Sequence, residues 1–433
     1  MQVQMRACIG SFFLVVEKFF PTDPYKSNRI GKNREDYEME VWVMKRHLSK
    51  LLIFTIILMT APSALAKESA KKPSELAGDA KSAVLIERDT GKVMYDKNSR
   101  EKLPPASMTK VMTMLLIMEA LDEGKIKMKD KVRTSEYAAS MGGSQIFLEP
   151  GEEMTVEDML KGIAIGSGND ASVAMAEHIA GSEEEFVKRM NEKAAELGLK
   201  DTSFQNTTGL PEEGHYSTAY DMALMAKELL KYENITKFTG TYEDYLRENT
   251  DKKFWLVNTN RLIKFYPGVD GVKTGFTNEA KYCLTASAKK GNMRVIAVVF
   301  GASTPKERNA QITKMLDFAF SQYETHPMYK RNEIISDLKV NKGREQKINL
   351  VTSEPISLLT KKGENIESVK KEIKQKEDIQ APVKKGTELG TLVLKKDGKV
   401  LAESPLVAEK DMDKAGMWTM FKRTMTHWTK WSE

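Results

Sequence analysis

At 433 residues, 41% of them hydrophobic, the chain is long enough for about two or three domains with sizeable cores. Its net charge of +6 is modest and no Arg/Lys-rich stripe with interleaved aromatics appears, which argues against nucleic acid as a partner. Cys8 and Cys283 cannot make a disulfide framework, and five scattered histidines without a His-x-x-x-His pair offer no zinc-ligand spacing, so neither metal nor cofactor is expected.

Residues 1–66 are an N-terminal extension that ends in an export signal. A basic segment starts at Met44-Lys-Arg-His47, residues 51–59 are apolar, and Ala64-Leu-Ala66 is a small-x-small site before Lys67. The apolar run is too short for a membrane span. Translation is expected to begin at Met44, with the signal over 44–66 and no evident role for 1–43; the rival is an uncleaved N-terminal anchor. Cys8 lies ahead of the signal. Cys283 therefore stands alone, in an apolar run, and is read as a small core residue.

A catalytic unit is expected over residues 75–326. Strand-like runs at 82–87 and 92–96 flank Asp89-Thr-Gly91 as a hairpin. Pro104 and Pro105 then lead into an unbroken helix-favouring run, 110–121, whose first turn would hold Ser107 among unpaired backbone N–H groups. Helical patterns follow at 156–180 and 182–197, broken at Gly166, Gly168 and Gly181. Another runs over 218–230, where Thr218 and Asp221 are spaced as a capping pair. Strands at 269–273, 282–289 and 294–300 precede a last helix over 305–323. This order predicts an α/β (α+β) sandwich, an antiparallel sheet flanked by helices.

Residues 327–408 alternate strand-like pieces with Lys/Glu/Gly turns and read as a small all-β domain without catalytic residues. Residues 411–433 differ again. On a helix, Met417, Trp418, Met420, Phe421, Met425, Trp428 and Trp431 fall within an arc of roughly 160°, with basic residues and threonines opposite. That pattern suits an amphipathic helix lying in a membrane surface. The alternative is a helix docked on the protein's own core.

Three motifs carry the chemistry: Ser107-Met-Thr-Lys110, Ser167-Gly-Asn169 and Lys273-Thr-Gly275. Ser-x-x-Lys recurs at Ser69, Ser99, Ser287, Ser303, Ser336 and Ser368, so only its helical context singles out Ser107. Ser-x-Asn and Lys-Thr-Gly each occur once. A serine hydroxyl needs a base within hydrogen-bond reach. Lys110, on the same helix face, can serve if its amine is neutral, which requires burial or a second cation. Lys273 would be that cation, Ser167 could relay a proton to the leaving amine, Asn169 could donate to a substrate amide, and Gly275 would let a substrate backbone approach. Taken singly, the second and third motifs could be no more than a turn and a hairpin end. Their order makes them one acyl-transfer site.

With their flanks, Pro-Ala-Ser-Met-Thr-Lys, Ser-Gly-Asn-Asp-Ala and Asp-Gly-Val-Lys-Thr-Gly, these motifs resemble the low-molecular-mass penicillin-binding proteins, in particular the serine-type D-alanyl-D-alanine carboxypeptidases. The similarity runs from about residue 77 to the C-terminus and leans toward the sporulation-associated type of bacilli. It implies that Ser107 is acylated by peptidoglycan pentapeptide stems with release of D-Ala, and that β-lactams inhibit by acylating the same serine. Lys110 would be the base, and Ser167 with Lys273 a proton path. The N–H groups of Ser107 and Phe276 would form the oxyanion hole, and Thr274 with Arg308 would hold the terminal carboxylate. Phe276 departs from relatives that carry His there; altered pH dependence or subsite preference is expected, not loss of activity. Gly142-Gly-Ser-Gln145 resembles a loop over the cleft. Alternatives are a D,D-endopeptidase or transpeptidase, a β-lactamase, which would need a Glu-x-x-Leu-Asn loop that is missing after the second motif, and a non-catalytic penicillin-binding scaffold. The expected location is the outer face of the cytoplasmic membrane.

Overall fold

The computed structural model describes residues 76–429, and Met39 before them, with side chains through Arg423. The expected export signal over 44–66 lies outside the described residues.

Alternation of small and branched apolar residues builds a sheet buried on both faces. Strands β1 (Ser82–Glu87), β2 (Val93–Lys97), β3 (Val269–Thr277), β4 (Lys281–Lys290) and β5 (Met293–Ala302) pair antiparallel in the order β2-β1-β5-β4-β3. Along β1, Val84 and Ile86 enter one core, Ala83 and Leu85 the other; β5 divides likewise, Ile296 and Val298 against Val295 and Ala297. The Lys-Thr-Gly strand, β3, is left as an edge.

The larger core holds α1 (Lys110–Asp122), buried on every side, together with α2 (Val156–Ala164), α3 (Asn169–Ala180), α4 (Glu183–Glu196) and α5 (Ala219–Leu229). Helix α6 (Pro305–Gln322) covers the opposite face through Ile312, Met315, Leu316 and Ala319. Thr155, Ser182, Thr218 and Thr304 cap α2, α4, α5 and α6, each side chain accepting the N–H three residues on. The expected Thr218–Asp221 pair forms by half. Thr218 Oγ1 accepts the Asp221 N–H (3.0 Å), but the Asp221 carboxylate turns to the Asp201 N–H and the Thr202 hydroxyl.

Helix α6 runs without a linker into β6 (Tyr323–Tyr329), so the second unit begins at Tyr323 and not at 327. After β7 (Ile334–Lys339) and β8 (Lys347–Thr352), β9 (Ile356–Lys361) pairs with β6. With β10 (Lys370–Gln375), β11 (Glu388–Lys396) and β12 (Lys399–Ala408), the remaining strands form an antiparallel sheet in the order β7-β8-β12-β11-β10. The edge β10 is largely charged and exposed, and Ser336 and Asp337 interrupt the apolar residues of β7, which suppresses the apolar alternation that betrays a strand. Met412 is buried in this core and bridges to Val383, so the unit also extends past 408.

Helix α7 (Met417–Thr429) follows. Arg423 ties it down, donating to the carbonyls of Gly343 (2.7 Å) and Arg344 (2.8 Å). Met417, Trp418 and Phe421 are 91%, 68% and 55% exposed, the two rings stacked 5.7 Å apart. These three residues do not dock on the protein's own core. Among the described residues no helix is long and apolar enough to cross a membrane.

Candidate active site

The serine stands where three segments meet. A 3₁₀ turn, Ala106–Thr109, entered through Pro105, continues into α1, so the α-helix proper starts at Lys110 and Ser107 sits in the tighter turn ahead of it. Lys110 is fully buried and its Nζ lies 3.2 Å from Ser107 Oγ. The same nitrogen donates to Asn169 Oδ1 (2.6 Å) and to the Thr208 carbonyl (2.7 Å). A neutral amine has two N–H donors and one lone pair. The two carbonyl acceptors take the donors and leave the lone pair for the Ser107 hydroxyl proton. Burial, and after it the facing Lys273, holds Lys110 well below the ordinary lysine range, with Asp170 acting in the opposite sense.

The edge strand β3 supplies the opposite wall. Lys273 and Thr274 are buried. Burial first, then Arg308, brings the Lys273 amine down to about 7. Arg308, in the first turn of α6, is itself buried, lowered to about 10 by desolvation, and donates to Asn309 Oδ1 at 3.1 and 3.0 Å. Three buried basic groups thus line up across sheet and helices, an arrangement that favours an anion between them. The Thr274 hydroxyl is held by Thr259 Oγ1 at 2.5 Å. Gly275 has a structural reason as well. A Cβ there would come within 2.7 Å of the Pro105 carbonyl and 3.2 Å of the Met108 nitrogen, so the strand packs directly on the nucleophile turn. Phe276 is half exposed and stacks on Tyr282, centroids 4.4 Å apart.

In the second motif, Ser167 is buried at φ +63° between two glycines. Asn169, not Ser167, touches the base. Its carboxamide is anchored at both ends inside the protein, Oδ1 by Lys110 and one Nδ2 hydrogen by the Gly142 carbonyl (2.6 Å), which leaves the second Nδ2 hydrogen for a substrate amide. Cys283 is buried, donates to the Ala280 carbonyl, and has its thiol pushed up to about 11 by burial, as a core residue should.

A fourth contributor escaped the sequence. The segment Thr207-Thr208-Gly209 lies against the nucleophile turn: Thr208 feeds its carbonyl to Lys110, and Thr113 Oγ1 donates to the Thr207 carbonyl (2.7 Å). His215 braces the same turn. Its Nδ1 accepts the Gln205 N–H (3.1 Å), which places the proton of the neutral ring on Nε2, and Nε2 donates to Thr109 Oγ1 (2.8 Å). Burial holds this imidazole at about 4. Beside the turn opens a cleft of about 550 Å³ lined by Pro105, Ala106, Leu210, Tyr216, Thr277 and Glu279 among others.

A buried lysine poised on a serine, an edge strand beside both, and the buried basic pair Lys273 and Arg308 define a serine acyl-transfer enzyme that works without a catalytic histidine. The chain belongs to the D-alanyl-D-alanine carboxypeptidase family, whose pattern matches residues 67–304; residues 323–414 match the C-terminal domain of penicillin-binding protein 5. It is 79% identical over 387 residues to the D-alanyl-D-alanine carboxypeptidase DacF of Bacillus subtilis, covering 89% of this chain and all of that one. It is 35% identical to DacC of Escherichia coli over 372 residues, 83% of this chain and 90% of the relative. The crystal structure of penicillin binding protein 5 from Haemophilus influenzae superposes with a TM-score of 0.62 at 32% identity, over 78% of this chain and 98% of the other.

Proposed function

We propose the following course for the carboxypeptidase reaction. The Ser107 hydroxyl passes its proton to the lone pair of Lys110 as Oγ attacks the carbonyl of the penultimate D-Ala of a peptidoglycan stem. The N–H groups of Ser107 and Phe276 take the developing oxyanion. Thr274, Lys273 and Arg308 receive the terminal carboxylate, and the proton returns to the leaving D-Ala amine through Ser167. Water then hydrolyses the acyl-enzyme by the same route. The observation that carries this course is the Lys110 geometry, with both donors spent on carbonyls and the lone pair facing Ser107. β-Lactams enter as carboxylate-bearing acyl donors that stop at the acyl-enzyme.

Incubation with diacetyl-Lys-D-Ala-D-Ala is expected to release D-Ala, and fluorescent penicillin to label one peptide, the one containing Ser107. Labelling without D-Ala release would shift the assignment toward an endopeptidase or transpeptidase. Absence of both would overturn it.

We further infer that the enzyme works at the outer face of the cytoplasmic membrane, after export through the 44–66 signal, and rests on that membrane through α7. The exposed Met417, Trp418 and Phe421 support this, since apolar side chains bared on one helix call for an apolar phase. The intact protein is expected to sediment with anionic lipid vesicles, and Trp418→Ala with Phe421→Ala to reduce the bound fraction at least several-fold. Equal sedimentation of both forms would refute the membrane contact. A sporulation role, inferred from the resemblance of the three motifs, is checked by when in the life cycle the protein accumulates.

A further inference from the structure

Asp170 follows Asn169 in the first turn of α3 and is 1% exposed. Its carboxylate accepts only backbone N–H groups: Ile146, 3.1 Å from each oxygen, Leu148 at 3.0 Å, and Ala171 of its own helix at 2.9 Å. Asn169 binds the neighbouring part of the same segment, its N–H to the Ser144 carbonyl (2.7 Å) and its Nδ2 to the Gly142 carbonyl. Four residues of segment 142–148 and the start of α3 therefore lock together, and the Asn169 Oδ1 that remains is the one on Lys110. Gly143 shows how tight the seam is. At φ +80°, a Cβ there would stand 2.8 Å from Asn169 Nδ2.

We infer that Asp170 is a positioning residue of the acyl-transfer site: its buried carboxylate fastens segment 142–148 to the start of α3 and so seats the Asn169 carboxamide on Lys110. The inference rests on Ser107 and Lys110 being the nucleophile and base. The groups that face the Lys110 amine are Ser107 of its own turn, the Thr208 carbonyl from the 201–217 loop, Lys273 from β3, and Asn169 with Asp170 from α3. Of these, Lys273 and Asp170 are the charged ones, and they oppose each other: the cation disfavours a proton on Lys110 and the carboxylate favours it. Asp170 thus acts on the base in two ways, by holding its acceptor and by its charge.

The two effects separate in a pH profile. Asp170→Asn keeps the shape but removes the charge and turns one acceptor into a donor facing an N–H. Acylation of the full chain by fluorescent penicillin is expected to slow on the order of 10- to 100-fold through misplacement of the base. Its acid limb should also move to lower pH, because a Lys110 without the facing carboxylate gives up its proton more readily. A merely structural role would lower the rate at every pH and leave the limb in place. Gly143→Ala approaches from the segment side, crowding Asn169 while the Asp170 charge stays, and is expected to slow acylation with a smaller downward shift of the limb, since only the Oδ1 acceptor that favours the Lys110 ammonium is displaced. It also stands in if Asp170→Asn fails to show a cooperative melt. Wild-type labelling with an unmoved or upward-moved limb in the folded variants overturns the role of Asp170. An unlabelled wild type overturns instead the serine–lysine assignment beneath it.

Discussion

Ser107→Ala is expected to abolish penicillin labelling and D-Ala release, and Lys110→Met to lower the acylation rate by on the order of 10⁴-fold or more. The two losses should be nearly the same size and should not add in the double variant, because nucleophile and base act as one unit. Met fills the aliphatic path of Lys110 but cannot take the Ser107 proton. Melting temperature controls for the loss of the bonds to Asn169 and Thr208. The wild-type pH profile follows from the same geometry. Activity of the free enzyme rises with pH as Lys110 loses its proton, at a pH well below that of an ordinary lysine. It falls again as Lys273, brought to about 7, loses the charge that draws in the substrate carboxylate. Bound carboxylate stabilises the Lys273 ammonium, so the alkaline limb should lie higher in kcat than in kcat/KM. Coincident limbs would remove Lys273 from carboxylate binding.

How far the site was legible depended on whether a residue acts through its side chain. Ser107, Lys110, Asn169 and Lys273 stand in short motifs with fixed spacing and meet in the structure, with Thr274 next to Lys273 on β3. Thr208 gives only a carbonyl to Lys110, and any residue type could do that; its segment lies 98 residues from the base in sequence. His215 was visible as a histidine but not as a brace, since its partners, Thr109 and the Gln205 N–H, come together only by folding. Asp170 was in plain view inside Ser-Gly-Asn-Asp-Ala; the signal was a carboxylate in a run otherwise destined for burial. The strands of the catalytic sheet were clear because both faces are apolar. Charge hid the edge β10, the Ser336-Asp337 interruption hid the edge β7, and a linkerless junction hid the start of the second unit at Tyr323.

Gly209→Ala should be the most damaging Gly→Ala change among the described residues. Gly209 has φ +84°, and an added Cβ would fall 1.8 Å from the Ala106 carbonyl oxygen, 2.3 Å from its carbon and 2.8 Å from Thr109 Oγ1. Two of these atoms are backbone of the nucleophile turn, where no rotamer change can relieve the overlap. Either the 207–209 segment lifts off, carrying the Thr208 carbonyl away from Lys110, or the turn that holds Ser107 is displaced. Both routes break the two-carbonyl cradle of the base. A loss of about 3–5 kcal/mol of stability is expected, with acylation slowed on the order of 100-fold in the molecules that fold. Gly198 supplies the control. It shares a positive φ, +70°, but its Cβ would meet nothing within 4 Å. Gly198→Ala should therefore cost only the conformational strain, about 1 kcal/mol, and acylate at the wild-type rate. Thermal melting and penicillin acylation of the two variants side by side distinguish contact from conformation. If Gly209→Ala melts and acylates like Gly198→Ala, the 207–209 segment is not packed on the nucleophile turn, and the Thr208 carbonyl does not hold Lys110.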